Sequence, residues 1–122
     1  MKYCLVVDDS KTIRKVAKTI LTSIGYEVGE AEDGQQAMDQ CQIRMPDAIL
    51  LDWSMPVMDG QEFLALFART FRSRKPYIVY LTTEFDPTDI SRAIAAGADD
   101  FMLKPFDRES LQAKFLQLPQ AA

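Results

Sequence analysis

Five polar side chains stand where apolar runs stop. Asp8 and Asp9 follow Leu5-Val6-Val7, Asp52 follows Ile49-Leu50-Leu51, Thr82 ends a run that begins at Tyr77, and Lys104 follows Met102-Leu103. Together they offer three carboxylates, one hydroxyl and one ammonium. Carboxylates drawn into one place repel unless a cation neutralises them, and an oxygen-only set with neither His nor Cys suits a hard ion such as Mg²⁺. Magnesium keeps several waters and takes phosphate oxygens readily, so such a set is fit to hold the ion and an incoming phosphoryl group side by side. In that chemistry Asp52 is the nucleophile, and Thr82 and Lys104 donate to the phosphoryl oxygens.

Composition narrows the alternatives. The 122 residues include no histidine, which excludes imidazole acid–base catalysis and His-rich zinc sites. Cys4 and Cys41 cannot complete a four-thiolate site; both lie in apolar stretches and are expected to be reduced core thiols. With 14 Lys+Arg against 18 Asp+Glu the net charge is −4, which argues against capture of nucleic acid or an anionic membrane by a basic face. The run over residues 3–7 is cut by Asp8 and Asp9, so it is no secretory signal, and a cytoplasmic location without membrane insertion is expected. A hydrophobic fraction of 48% beside 26% charged residues fits one packed core, and residues 1–122 are expected to form a single domain with no output domain.

Convergence of such distant residues needs a fold that delivers strand ends to one rim. Apolar runs recur at 3–7, 26–31, 48–51, 77–81 and 100–103, each followed by helical periodicity. After Ser10, a helix cap by type, Ile13, Val16, Ala17, Ile20, Leu21 and Ile24 predict one apolar face, with Gly25 as the stop. A second helix runs from about Gly34 through Ala37, Met38 and Cys41. A third starts near Gly60 and carries Phe63, Leu64, Phe67 and Phe71; a fourth opens at Asp86-Pro87 and closes at Gly97. The fifth is capped by Asp107 and presents Leu111, Phe115 and Leu118. Five strand–helix alternations imply a doubly wound α/β fold, a (βα)5 parallel five-stranded sheet with helices on both faces. Ligands of such sheets bind beyond the carboxyl ends of the strands, where all five polar groups fall.

The stretches Val6-Val7-Asp8-Asp9-Ser10, Leu50-Leu51-Asp52-Trp53-Ser54-Met55-Pro56-Val57-Met58-Asp59-Gly60, Leu81-Thr82-Thr83, Gly97-Ala98 and Leu103-Lys104-Pro105-Phe106 stand in this order over nearly the whole chain. The set resembles the receiver domains of two-component response regulators, the chemotaxis response regulators among them. The resemblance implies a flavodoxin-like sheet with strand order 2-1-3-4-5. It implies that Asp52 takes a phosphoryl group from a sensor histidine kinase or histidine phosphotransfer protein, and that Asp8, Asp9, Asp52 and the Ser54 backbone carbonyl bind Mg²⁺. Thr82 and Lys104 match the residues that contact the phosphoryl group, Thr82 also as a switch, and Lys104-Pro105 matches a cis peptide. Phosphorylation would then remodel the surface of the fourth helix, fifth strand and fifth helix for an output protein, in a monomer or a weak phosphorylation-dependent homodimer. Such a chain is a signalling module of a phosphorelay, not an enzyme with an outside substrate, although it catalyses its own phosphotransfer and slow autodephosphorylation.

Three features depart from the family pattern. Phe101 fills the place of a rotating aromatic switch without a hydroxyl. Ser54 and Glu84 stand two positions after Asp52 and Thr82, where hydrolysis of the phospho-aspartate is tuned, and Thr83 is bulkier than the small residue often found there. Each site residue also has a plainer reading: an isolated Asp after a strand is commonly a cap, and an isolated Lys is commonly solvated. A phosphatase of the haloacid dehalogenase type is the rival enzyme, with Asp8 as nucleophile, but it needs a second Asp two positions later and Ser10 stands there. A flavodoxin-type flavin binder needs a hydroxyl- and glycine-rich loop where this chain has two carboxylates. A scaffold receiver that acts without phosphorylation is disfavoured by the complete set of acidic, hydroxyl and lysine residues.

Overall fold

A computed structural model of the chain describes residues 2–73, 75–83 and 86–116. Strands β1 (Tyr3–Val7), β2 (Glu27–Ala31), β3 (Ala48–Asp52), β4 (Tyr77–Thr82) and β5 (Asp100–Leu103) alternate with helices α1 (Lys11–Ser23), α2 (Gly34–Ile43), α3 (Gly60–Thr70), α4 (Pro87–Ala96) and α5 (Arg108–Leu116). The strands are parallel and ordered 2-1-3-4-5, the flavodoxin-like arrangement the resemblance implied.

Because strand side chains alternate faces, each central strand feeds two cores. Leu5, Val7, Ile49, Leu51, Ile78 and Tyr80 meet Ala37, Met38 and Cys41 of α2, Phe63, Leu64 and Phe67 of α3, and Ala93 of α4. On the other face Cys4, Val6, Ala48, Leu50, Val79 and Leu81 meet Ala17, Ile20 and Leu21 of α1 and Leu111 and Phe115 of α5. The two cysteines therefore lie on opposite sides of the sheet, both buried and free. Burial pushes both thiols up, Cys41 to about 12, so they stay protonated. No described helix is long and apolar enough to cross a membrane.

The helix starts follow side-chain chemistry. Ser10, Asp33, Asp59 and Asp86 accept from backbone N–H groups in the first turns of α1 to α4, Asp59 and Glu62 forming a reciprocal box. Asp107 accepts from Ser110 N at 2.8 Å at the head of α5. At the end of α4, Gly97 takes φ +126°, a conformation side chains resist. Leu118, expected on the face of α5, lies outside the described residues.

Two details correct the periodicity. Tyr26 is not the first residue of β2; its ring is buried edge-on against Phe115, and its hydroxyl donates to Phe115 O at 3.0 Å. On α1, Val16 is 42% exposed while Arg14 is 7% exposed. The buried stripe runs through Arg14, Ala17, Ile20 and Leu21, rotated from the apolar face because Arg14 finds partners beside the sheet edge.

Between β3 and α3 the chain turns through Val57 at φ +67°, with its side chain 80% exposed. A β-branched residue in the left-handed region costs about 1–2 kcal/mol, and asparagine tolerates it better. Val57→Asn is expected to raise stability by about 1 kcal/mol, seen as a higher urea midpoint at unchanged slope. An unchanged or lowered midpoint would show that the turn carries no such strain.

Candidate functional site

The order 2-1-3-4-5 makes β1, β3, β4 and β5 successive neighbours, so their carboxyl ends form one rim. Ladder bonding continues across it. Asp8 N donates to Ala31 O at 3.1 Å, Trp53 N to Leu81 O at 3.1 Å, and Lys104 N to Thr82 O at 2.8 Å. The backbone under each polar side chain is thereby held to its neighbour, and the Lys104–Pro105 peptide is cis.

Lys104 Nζ lies 2.7 Å from Asp8 Oδ2 and 3.0 Å from Asp52 Oδ1. Asp8 is fully buried and Asp52 is 5% exposed, whereas Asp9 is exposed. Asp8 Oδ1 accepts from Ser10 N at 2.8 Å. Its Oδ2 faces the Lys104 ammonium at 2.7 Å. One carboxylate oxygen from each of Asp8, Asp9 and Asp52 lies within 4.8 Å of the others. Three converging carboxylate oxygens, with no nitrogen or sulfur donor among them, fit a hard divalent cation.

The electrostatics follow from this crowding. Burial pushes the Asp52 carboxyl up to about 6, the Asp8 charge and more weakly the Asp9 charge add to the rise, and Lys104 opposes it. For Lys104, burial pulls the ammonium down, but its bonds to Asp8 and Asp52 outweigh that, leaving it above the ordinary lysine value.

A cleft of about 410 Å³ opens over the pair. Asp9, Asp52, Ser54, Thr82, Thr83 and Lys104 line it, together with Trp53 and Asp89. Asp8 is not in the lining; it sits beneath. Phe101 also stays out of the cleft. It is half-buried in β5, opposite Tyr80 in register, with Lys114 Nζ 5.9 Å from its ring centre. Glu84 lies outside the described residues. Sequence reasoning missed Asp89, whose only signal was an acidic residue in the first turn of a helix. The Trp53 ring lies 4.5 Å from that of Tyr80, which steadies one wall.

The raised Asp52 value has a definite sign in stability. Between about pH 4 and 6 the folded chain holds a proton that the unfolded chain has lost, so metal-free stability falls as pH rises through that window. Asp52→Asn is expected to abolish this fall. Allowing for the water that reaches the carboxylate, the variant should be more stable than the parent above pH 6 by roughly 1–2 kcal/mol. Urea titrations in a chelator across this range check it; a less stable variant would mean that the Lys104 attraction outweighs burial.

With the geometry established, comparison with known proteins places the chain. The family described as the response regulator receiver domain matches residues 4–116. The phosphate regulon transcriptional regulatory protein PhoB of Klebsiella pneumoniae is 37% identical over 110 residues, covering 90% of this chain but 48% of the relative, so the chain spans about half the length of that regulator. The chemotaxis protein CheY1 of Helicobacter pylori is 35% identical over 112 residues, covering 90% of each. Among solved structures, the Vibrio cholerae chemotaxis protein CheY4 superposes with a TM-score of 0.91 at 35% identity, over 98% of this chain and 99% of that one. A parallel sheet ordered 2-1-3-4-5, three carboxylates at its rim with two of them bridged by one lysine, and a family match over nearly the full length lead to one assignment: the chain is a response regulator receiver domain, a signalling module of two-component systems.

Proposed function

We propose that Asp52 accepts a phosphoryl group from the phosphohistidine of a sensor histidine kinase or a histidine phosphotransfer protein. The observation that carries this reading is the Lys104 ammonium bridging Asp8 and Asp52 at the base of a cleft that Asp52 borders and Asp8 does not. Of the two buried carboxylates, Asp52 is the one a phosphoryl donor can reach. That position disfavours Asp8 as the nucleophile of a haloacid dehalogenase-type phosphatase.

In the transfer, a carboxylate oxygen of Asp52 forms a bond to phosphorus while the bond from phosphorus to the donor imidazole nitrogen breaks, the nitrogen keeping the electron pair. Asp52 has its ordinary ionised form above pH 6, which keeps the nucleophile available at neutral pH. Asp8, Asp9, Asp52 and the backbone carbonyl of Ser54 would hold Mg²⁺, which when bound offsets the negative charge of carboxylates and phosphoryl oxygens. Lys104 exchanges its contact with Asp52 for one phosphoryl oxygen, and the Thr82 hydroxyl donates to another. Ser54 and Thr83, on the cleft wall, govern the access of water and hence the slow autodephosphorylation; Glu84 has the same part in this reading.

The added charge draws Thr82 inward and changes the surface of α4, β5 and α5, with Phe101 repacking as the second switch. Exposed apolar side chains already stand there: Ile94 is 43% exposed, Leu103 42% and Leu116 66%. An output protein, or a second copy in a weak dimer, reads that surface.

The test is incubation with Mg²⁺ and acetyl phosphate, followed by intact mass. A hydroxylamine-labile adduct is expected in the parent and absent in Asp52→Ala, and Mg²⁺ alone should change Trp53 fluorescence. An adduct that survives Asp52→Ala would overturn the assignment of the acceptor; no adduct in the parent would leave a scaffold that works without phosphorylation.

A further inference from the structure

Among the described residues three charged side chains are buried: Asp8, Asp52 and Arg14. The first two belong to the carboxylate cluster. Arg14 stands on α1 behind it, and a buried guanidinium is costly unless its donors are matched.

Its partners are specific. Arg14 Nη1 donates to the backbone carbonyl of Asp8 at 2.8 Å, wholly out of solvent. Arg14 Nε donates to Glu30 Oε1 on β2 at 3.1 Å, and Nη2 lies 3.8 Å from Glu32 Oε1. The guanidinium thus ties the loop after β1 to the carboxylates at the edge of the sheet. Only a planar group with several fixed donors can make such contacts at once; the single ammonium of lysine cannot.

The consequence falls on Asp8 and Asp9. Asp8 N is held by Ala31 O, Asp8 Oδ1 by Ser10 N, and the Asp8 carbonyl by Arg14. Three of its polar atoms are committed, and Oδ2 is turned toward the cluster, 2.7 Å from the Lys104 ammonium. The carbonyl that Arg14 grips belongs to the peptide unit joining Asp8 to Asp9, so the same contact sets the direction in which Asp9 leaves the strand.

We propose that Arg14 is a positioning residue for the cation site, anchored in turn by Glu30: it holds the Asp8–Asp9 peptide so that both carboxylates converge with Asp52. This rests on reading Asp8, Asp9 and Asp52 as the cation ligands. Groups that orient the ligands of a metal commonly change its affinity 10- to 100-fold when lost.

The experiment is a Mg²⁺ titration of the full chain, followed by Trp53 fluorescence and independently by calorimetry, with urea melts in a chelator. Arg14→Gln is expected to raise the Mg²⁺ midpoint roughly 10-fold or more. Arg14→Lys and Glu30→Gln should raise it by smaller factors, and Glu30, with its side chain 37% exposed, can be changed without opening the core. These two variants carry the test should Arg14→Gln fail to fold. Parental midpoints in folded Arg14 and Glu30 variants, with only the urea melts displaced, would overturn the proposal while leaving the cation site standing. Absence of a Mg²⁺ response in the parent by both methods would overturn the cation site and the proposal with it.

Discussion

The contacts from Lys104 to Asp8 and Asp52 are the interaction that makes the rim of this sheet tenable. Two unit charges about 4 Å apart interact by about 4 kcal/mol at an effective dielectric constant near 20, and here two buried carboxylates and an exposed third are brought together. A cation between the two buried ones offsets that repulsion. The last strand sends an ammonium to that place, and Asp52 rises only to about 6. The remaining two negative charges are half of the chain's net −4, concentrated where a divalent ion or the donors of a phosphoryl site can act on them.

Holding that charge cluster places demands on the loops around it. The loop after β3 is pulled close: Gly60 N donates to Trp53 O at 3.0 Å, and a Cβ on Gly60 would come within 2.7 Å of the Asp52 carbonyl. Gly34 N donates to Met58 O at 2.9 Å, which fastens the same loop to the start of α2. The reciprocal cap of Asp59 and Glu62 then starts α3 directly behind the site. On the other side the loop after β1 is gripped by Ser10 and Arg14. Backbone atoms on both sides of the acidic cluster are thus tied down, which lets like charges stay close without pushing the loops apart.

Much of this was legible beforehand. The strands fall within a residue of the apolar runs, because strands covered on both faces read as unbroken apolar stretches. The caps at Ser10, Asp86 and Asp107 were readable from residue type, since a side-chain oxygen at a helix start answers a local need. Where periodicity erred, the cause was a distant partner. Arg14 is buried and Val16 exposed because Glu30 and the Asp8 carbonyl are near one and not the other, and no spacing within α1 encodes either. Asp89 joins the cleft only because α4 follows β4 and places its first turn above the sheet.

Residue types at the ends of apolar runs were enough to identify a carboxylate, hydroxyl and lysine chemistry, and their order along the chain was enough to identify the fold that gathers them. Both are local properties: side-chain type, period and capping can be read from neighbours in sequence. Which carboxylate borders the cleft, which is sealed beneath it and how far Asp52 is displaced in pKa depend on atoms far away in the chain. Burial and charge act through distances of a few ångströms, and those distances exist only once the five strands have aligned their carboxyl ends.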